Sequence, residues 1–410
     1  MVDSFQSRLE IKRVQGSCSK LLFVVNEPYF FVSHRLPLAL GAKQAGYEIH
    51  VAAPNENVWA PEDFETRPFF DDLGISFHEI SLSRRGMNVA EEILTLRSMF
   101  QLYRRLRPDI VHHITPKAVL YGGLIARIIG VPASVLAFPG LGHYFATQNV
   151  KARLIRMMLA RGYSLAAGHP NSWAIIQNPD DALTLKNLGV TRHGRTTITR
   201  GSGVSLISFS DSELPDGPPL VVLPARMIWE KGVGEFVEVA RRLKRSGCEV
   251  RFALVGNTHA SNPRAVPERS LQAWHEEGVI EWWGRRDDMP RVLSAAHIVC
   301  LPSVYGEGIP KVLMEAAACG RAIVTYDVPG CRETVIDGVS GHLVPAGDNE
   351  LLAEYISKLV TDRTLCRRMG REGRRLAEAE FGIENIVDQT LKVYRNLMRT
   401  DEKVSRLART

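Results

Sequence analysis

At 410 residues the chain is longer than one hydrophobic core usually serves, which points to two domains. Its 45% hydrophobic and 23% charged residues, with no low-complexity tract and no internal repeat, exclude a disordered, fibrous or solenoid protein. The net charge of +6 is uneven: residues 1–200 carry 23 Lys and Arg against 16 Asp and Glu, and residues 201–410 carry 28 against 29. A basic first half beside a nearly neutral second half suits a surface that meets anions, whether nucleic acid, anionic lipid or phosphorylated substrate.

In chain order, the first 17 residues are polar and mixed in charge, and their pattern predicts no signal peptide. Buried strands are then predicted at 20–26, 47–53, 109–114 and 133–138, each short, β-rich and bounded by Gly, Pro or Asn. Helical patterns lie between them, from His34 to Gly46, Val89 to Leu106 and Lys117 to Ile129. The longest membrane-span candidate, His113 to Phe145, is interrupted by Lys117, Arg127, Pro132 and Pro139. Two basic stretches, 99–108 and 149–165, mix Arg and Lys with Leu, Ile and Met, as a helix lying on an anionic membrane surface would.

The second half repeats the scheme, with strands at 219–225, 250–256, 297–302 and 321–327 and helices at 233–246, 311–319 and about 348–359. Strand–helix alternation with nearly all-apolar strands is the pattern of parallel sheets covered on both faces. The predicted fold class is therefore α/β, with two doubly wound Rossmann-like domains. The polar stretch 208–218 reads as their linker, with an N-terminal domain over 1–207, a C-terminal domain over 219–383, and a final helix, 384–410, joining the first domain. The six cysteines (18, 248, 300, 319, 331 and 366) include no CxxC pair and suit reduced thiols of a cytoplasmic protein.

Open parallel sheets bind ligands at the carboxyl ends of their strands, so the following loops are where chemistry is expected. The stretch EGIPKVLMEAAACG (307–320) carries Glu307, then Gly308, Ile309 and Pro310 leading into a helix, then Glu315. Pro310 suits a helix start, Gly308 admits close backbone approach, and the helix N-terminus faces the loop as an anion site. Eight helical residues span ~12 Å, wider than the roughly 5–9.5 Å between glycosidase carboxylates. Two carboxylates at different depths beside an anion site fit polyol recognition better than hydrolysis.

Upstream, Arg226 ends a strand and Lys231-Gly232 opens a helix, cations placed to hold a diphosphate. Gly256 closes the next strand, while Gly284 and Arg285 form a plausible rim for a base or ribose. Trp282 and Trp283 read as core residues. No DxD and no His/Asp cluster with metal-ligand spacing is present, so no metal and no other cofactor are expected.

Arg226, Lys231-Gly232, Trp283-Gly284, Glu307 through Glu315 and Pro329-Gly330 together resemble the donor half of family 4 glycosyltransferases, retaining enzymes of the GT-B fold with an E-x7-E hallmark. The similarity continues through VIDGVSGHLVPAGD and covers the first half, where FFVSHRLPLALGAKQAGYEIHVAAP and PDIVHHITPKAVLYGGLIARIIGVP resemble acceptor domains of members that build surface polysaccharides. The resemblance implies two Rossmann-like domains facing across a cleft. It also implies a metal-independent hexosyltransferase that moves a sugar from a nucleotide sugar, UDP-linked by family frequency, to a lipid-linked glycan.

By resemblance, Arg226 and Lys231 hold the diphosphate, Glu307 contacts the transferring sugar, the Gly308 and Ile309 amides assist the phosphate, and Glu315 binds the ribose. Two places depart from the family pattern. The loop after the first strand reads Asn26, Glu27, Pro28, Tyr29, Phe30 and Phe31 where many members carry glycines. The loop after 133–138 reads Pro139-Gly140-Leu141-Gly142-His143 where many carry a histidine directly. His143 and His113 are the histidine candidates on the acceptor side, with Lys117, Gly140 and Gly142 beside them. A UDP-sugar 2-epimerase of the same fold and a non-catalytic sugar-nucleotide-binding protein are the alternatives. Nucleic acid is not an expected partner, since the basic helices lack interleaved stacking aromatics. The expected location is the inner face of the cell membrane, peripherally attached.

Overall fold

The computed structural model describes residues 18–57, 60–61, 64–82, 88–141, 150–191, 195–259 and 262–407. The chain divides into two compact units: residues up to Ser202 together with those from Glu384 onward, and Gly203–Ile383.

In the first unit, β1 (Lys20–Val24), β2 (Glu48–Ala53), β3 (Ser76–Glu79), β4 (Ile110–Ile114), β5 (Ala133–Phe138), β6 (Ser172–Ile176) and β7 (Thr196–Ile198) form one sheet in the order β3-β2-β1-β4-β5-β6-β7. All of its pairings are parallel. The central strands are apolar because helices cover both faces and no face is left for water. Leu21, Leu22, Phe23, Val111, Val135 and Ile176 are buried, each such side chain contributing about 1.5–3 kcal/mol by leaving water.

The second unit repeats the plan with β8 (Leu220–Pro224), β9 (Arg251–Val255), β10 (Glu281–Trp282), β11 (Ile298–Leu301), β12 (Ala322–Tyr326) and β13 (Gly341–Val344), in the order β10-β9-β8-β11-β12-β13. Its pairings are also parallel. Strand order reverses between β1 and β4 in one sheet and between β8 and β11 in the other. In each sheet the switch point opens a crevice at the carboxyl ends of that sheet's own strands.

The stretch 208–218, expected as a linker, is instead part of the second unit. Phe209 lies in that unit's core. The fully buried Arg321 donates to the Ser212 carbonyl at 2.8 Å, and Arg374 donates to the Phe209 carbonyl at 2.9 Å. Polar composition misled here because the backbone carbonyls of the segment accept from one buried guanidinium group, Arg321, and one half-buried, Arg374.

The final helix, Ile383–Leu407, returns to the first unit. There the Tyr394 hydroxyl meets His112 Nδ1 at 2.6 Å, and the Leu397 carbonyl accepts from Asn171 at 3.0 Å. All six cysteines are free. Among the described residues no helix is long and apolar enough to cross a membrane.

Candidate active site

The switch point of the second sheet is built from two loops. After β8 the chain runs through Arg226, which is exposed, to the short 3-10 turn Trp229–Lys231 and then the helix Val233–Arg245. Gly232 makes that transition with φ of +75°, and a Cβ there would overlap the Pro302 carbonyl at the end of β11. Only glycine lets the two loops lie this close.

After β11, Ser303 to Gly308 form the second loop. Lys231 Nζ pairs with Glu307 Oε2, and the Ser303 hydroxyl donates to Glu307 Oε1 at 2.6 Å. Both oxygens of the carboxylate are thereby held. The Val304 amide donates to the Glu230 carbonyl at 3.0 Å, tying the loops a second time. Glu230 is itself paired with Arg264 at 2.5 Å.

Burial would raise the Glu307 carboxyl, but Lys231, the Ser303 hydroxyl and Arg226 outweigh it and hold the group below the usual carboxylate range. Burial, with Glu307 and Glu230 nearby, pushes the Tyr305 phenol up. The site is thus an ionised carboxylate beside two cations, Lys231 and Arg226, on loops that fix its direction.

A third loop braces it from β12. The Glu307 amide donates to the Pro329 carbonyl at 2.9 Å. Gly330, with φ of +86°, packs so closely that a Cβ would overlap the carbonyl oxygens of Gly308 and Glu307. Gly308, Ile309 and Pro310 are buried at the start of the helix Lys311–Ala318. Glu315 is buried on that helix and pairs with Lys311 at 3.1 Å, one turn back. Arg226, Lys231 and Glu307 therefore come together, with Gly308 to Pro310 directly following.

Gly256 ends β9, where a Cβ would overlap the Ala225 carbonyl and its amide donates to the Gly284 carbonyl at 2.7 Å. Arg285 pairs with Asp287 at 3.0 Å. Trp282 and Trp283 pack against the core, and Trp282 donates to the Gly256 carbonyl at 3.0 Å. Ser303, Glu230, Arg264 and Tyr305 were missed from sequence. Only Ser303 had a readable signal, its place directly behind a buried strand.

The acceptor-side candidates fare differently. His113 is wholly buried within β4, with Nε2 at 3.0 Å from the Tyr103 hydroxyl and Nδ1 at 3.2 Å from the Val135 carbonyl. Burial drives its pKa down to about 3, so it is a neutral core residue and not a group at the strand ends. Lys117 pairs with Glu92 at 2.5 Å. Gly140 follows β5 with φ of +138°, and Gly142 and His143 lie outside the described residues.

Two all-parallel doubly wound units, the second with a carboxylate and cations at its switch point, define an α/β protein of the class that binds ligands at its strands' carboxyl ends. Residues 206–376 match the family described as "Glycosyl transferases group 1", and residues 20–167 match "Glycosyl transferase 4-like". The chain belongs to this glycosyltransferase family.

An alpha-1,3-N-acetylgalactosaminyltransferase of Campylobacter jejuni, acting on N,N'-diacetylbacillosaminyl-diphospho-undecaprenol, is 27% identical over 89% of this chain and 95% of its own length. An Escherichia coli enzyme named UDP-Gal:alpha-D-GlcNAc-diphosphoundecaprenol alpha-1,3-galactosyltransferase is 22% identical over 88% and 94%. Among solved structures, Anabaena HepE in complex with UDP and glucose superposes with a TM-score of 0.74 at 17% identity, over 92% of this chain and 99% of that one. Sucrose-phosphate synthase of Thermosynechococcus elongatus gives 0.76 at 18%, over 93% and 100%. At these identities the structures establish the GT-B fold.

Proposed function

We propose that this chain transfers a sugar from a UDP-sugar to a lipid-diphosphate-linked glycan, retaining the anomeric configuration and without a metal ion, at the cytoplasmic face of a membrane. The observation that carries the reading is the convergence of Arg226, Lys231 and Glu307 on one switch point. The bond between the anomeric carbon and the diphosphate oxygen breaks, and its electron pair leaves with the nucleotide. The acceptor hydroxyl oxygen takes the vacated place on the same face, and its proton departs with the nucleoside diphosphate. Charge grows on the leaving diphosphate, where fixed cations stabilise the transition state. Arg226, exposed beside the site, and Lys231, steered by Glu307, supply that charge. Glu307, oriented by Ser303 and Lys231, is the group that meets the transferring sugar. The UDP-galactose donor of the Escherichia coli relative and the diphospho-undecaprenol acceptors of both relatives support the substrate classes.

The first unit supports the membrane part of the reading. The helix Val89–Leu106 exposes Val89, Ile93, Leu96 and Phe100 at helical spacing, with Arg97 and Arg104 among them. The helix Val150–Ala167 exposes Leu154, Met157, Met158 and Leu165 with Arg153 and Arg161. Both pack against the segment Ala118–Ile129. Apolar and basic side chains together on outward faces suit an anionic lipid surface.

The test is thermal unfolding against UDP, GDP and a panel of their sugars, with and without EDTA. Selective binding at a hundred times Kd stabilises by about 2.7 kcal/mol. A rise with UDP and one UDP-sugar, unchanged by EDTA, is expected. A rise only with GDP compounds, or one abolished by EDTA, overturns the donor or the metal-independence respectively.

A further inference from the structure

The first sheet has its own switch point, between β1 and β4, and none of the assigned residues explains its geometry. Thr115, the first residue beyond β4, has φ of +84°. For a β-branched residue this is a conformation the fold must impose. Arg107, the other non-glycine with positive φ among the described residues, is accounted for as the left-handed cap of the helix Val89–Leu106. Thr115 caps no helix C-terminus.

Its side chain is also unusual. The residue is 7% exposed, and the hydroxyl oxygen has no hydrogen-bond partner. A buried hydroxyl left without a partner is costly, so native structures keep one for a reason. The Thr115 carbonyl accepts from the Val119 amide at 2.9 Å, opening the π-helical turn Ala118–Gly122. Such turns recur at functional sites. Gly122 of that turn presses on the His113 ring, where a Cβ would collide, so the turn holds its shape against a buried core group.

Across the switch point, β1 and β4 pair Val24 with His113. Glu27, three residues past the end of β1, lies at the same end of the sheet as Thr115 and is 2% exposed. A hydroxyl that can both donate and accept matches a sugar hydroxyl. It does not match a phosphate, because the nearby cation Lys117 is engaged by Glu92 at 2.5 Å.

We infer that Thr115 is an acceptor-contacting residue, its strained backbone presenting a buried hydroxyl to a neutral hydroxyl of the acceptor sugar. This rests on the acceptor reading proposed above. Two variants isolate the hydroxyl: Thr115→Val keeps the branched shape and hence the strain, and Thr115→Ser keeps the oxygen.

The readout is initial rate with a panel of farnesyl-diphosphate-linked N-acetylhexosamines, at saturating UDP-sugar, alongside the UDP-induced rise in unfolding midpoint. Thr115→Val should raise the acceptor KM about tenfold or more, Thr115→Ser should restore it to within about threefold, and both should keep the wild-type response to UDP. A Thr115→Val protein with normal UDP response and unchanged acceptor KM overturns the inference alone. A wild-type protein that responds to UDP yet uses no member of the panel overturns the acceptor reading, and the inference with it. If Thr115→Val does not fold, failure of Thr115→Ser to keep the acceptor KM decides against it.

Discussion

Lys231 and Glu307 stand 76 positions apart and form a partly buried ion pair across the switch point of the second sheet. The pair couples the loop after β8 to the loop after β11, the two loops proposed to hold the diphosphate and to meet the sugar. Breaking either half leaves the other charge partly buried and alone, which is more costly than never having built the pair.

Glu307→Gln keeps the shape of the side chain and removes its charge. Loss of an oriented group that acts in the transition state costs about 100- to 1,000-fold in kcat. UDP binding, which does not involve the sugar, should stay within a few-fold of wild type by calorimetry. Wild-type turnover in this variant would show that Glu307 has no part in the reaction.

Lys231→Ala should weaken UDP far more than uridine, since the ammonium acts as a point charge on phosphate. Titration of both ligands against variant and wild type makes the comparison. Equal weakening would place Lys231 away from the diphosphate.

Gly330→Ala introduces both a forbidden backbone conformation and a collision with the Gly308 and Glu307 carbonyls. A destabilisation of more than about 1 kcal/mol is expected, together with reduced turnover as the Glu307 loop shifts. Gly338, also at positive φ but with open space where a Cβ would go, is the control. Its alanine variant should lose stability from backbone strain alone and keep its turnover, as urea unfolding and rate assays would show.

Stability should fall on the acid side in two steps. Burial holds His78 down to about 4 and His113 down to about 3, so the unfolded chain binds protons that the folded chain refuses. Stability therefore drops as pH falls below about 6.5, the ordinary histidine value, and that loss stops at the folded values. Glu307 has a lowered pKa, so its contribution is complete above the ordinary carboxylate range and is lost as pH falls through the lowered value. Urea midpoints of wild type, His78→Asn and Glu307→Gln across this range should show the first step reduced in one variant and the second in the other.

Replacing Ile93 and Met158 together with serine should reduce sedimentation with phosphatidylglycerol vesicles while leaving transfer to a short-chain, detergent-soluble acceptor unchanged. Met158 is 67% exposed, so the change leaves the core intact. Unaltered sedimentation would remove these helices from the membrane reading.

Much of this was legible in sequence because the central strands are short apolar runs. The runs predicted at 20–26, 133–138 and 219–225 contain β1, β5 and β8. The edge strands were not legible. Ser76–Glu79 and Thr196–Ile198 are short and half polar, since an edge strand has one neighbour and less to bury. The convergence of Arg226, Lys231 and Glu307 was legible because these residues sit at fixed offsets from strands and glycines. Ser303, Glu230 and Thr115 are common residue types whose roles arise only from what they meet in three dimensions. His113 shows the converse: the sequence displays a histidine near a strand end, and only the fold shows that its ring turns inward to Tyr103.

The final helix carries a consequence for how the molecule comes into being. Tyr394 and Leu397 bond to His112 and Asn171, residues made more than two hundred positions earlier. Chain synthesis proceeds at about 5–20 residues per second, and domains fold as their sequence emerges. The second unit is continuous and can fold as soon as residue 383 has left the ribosome. The first unit is begun first and finished last: its early strands wait, with His112 and Tyr47 uncovered, through the making of the whole second unit. The nascent chain therefore passes its most aggregation-prone interval in its earliest-made half, the time when a chaperone's protection of that half matters most.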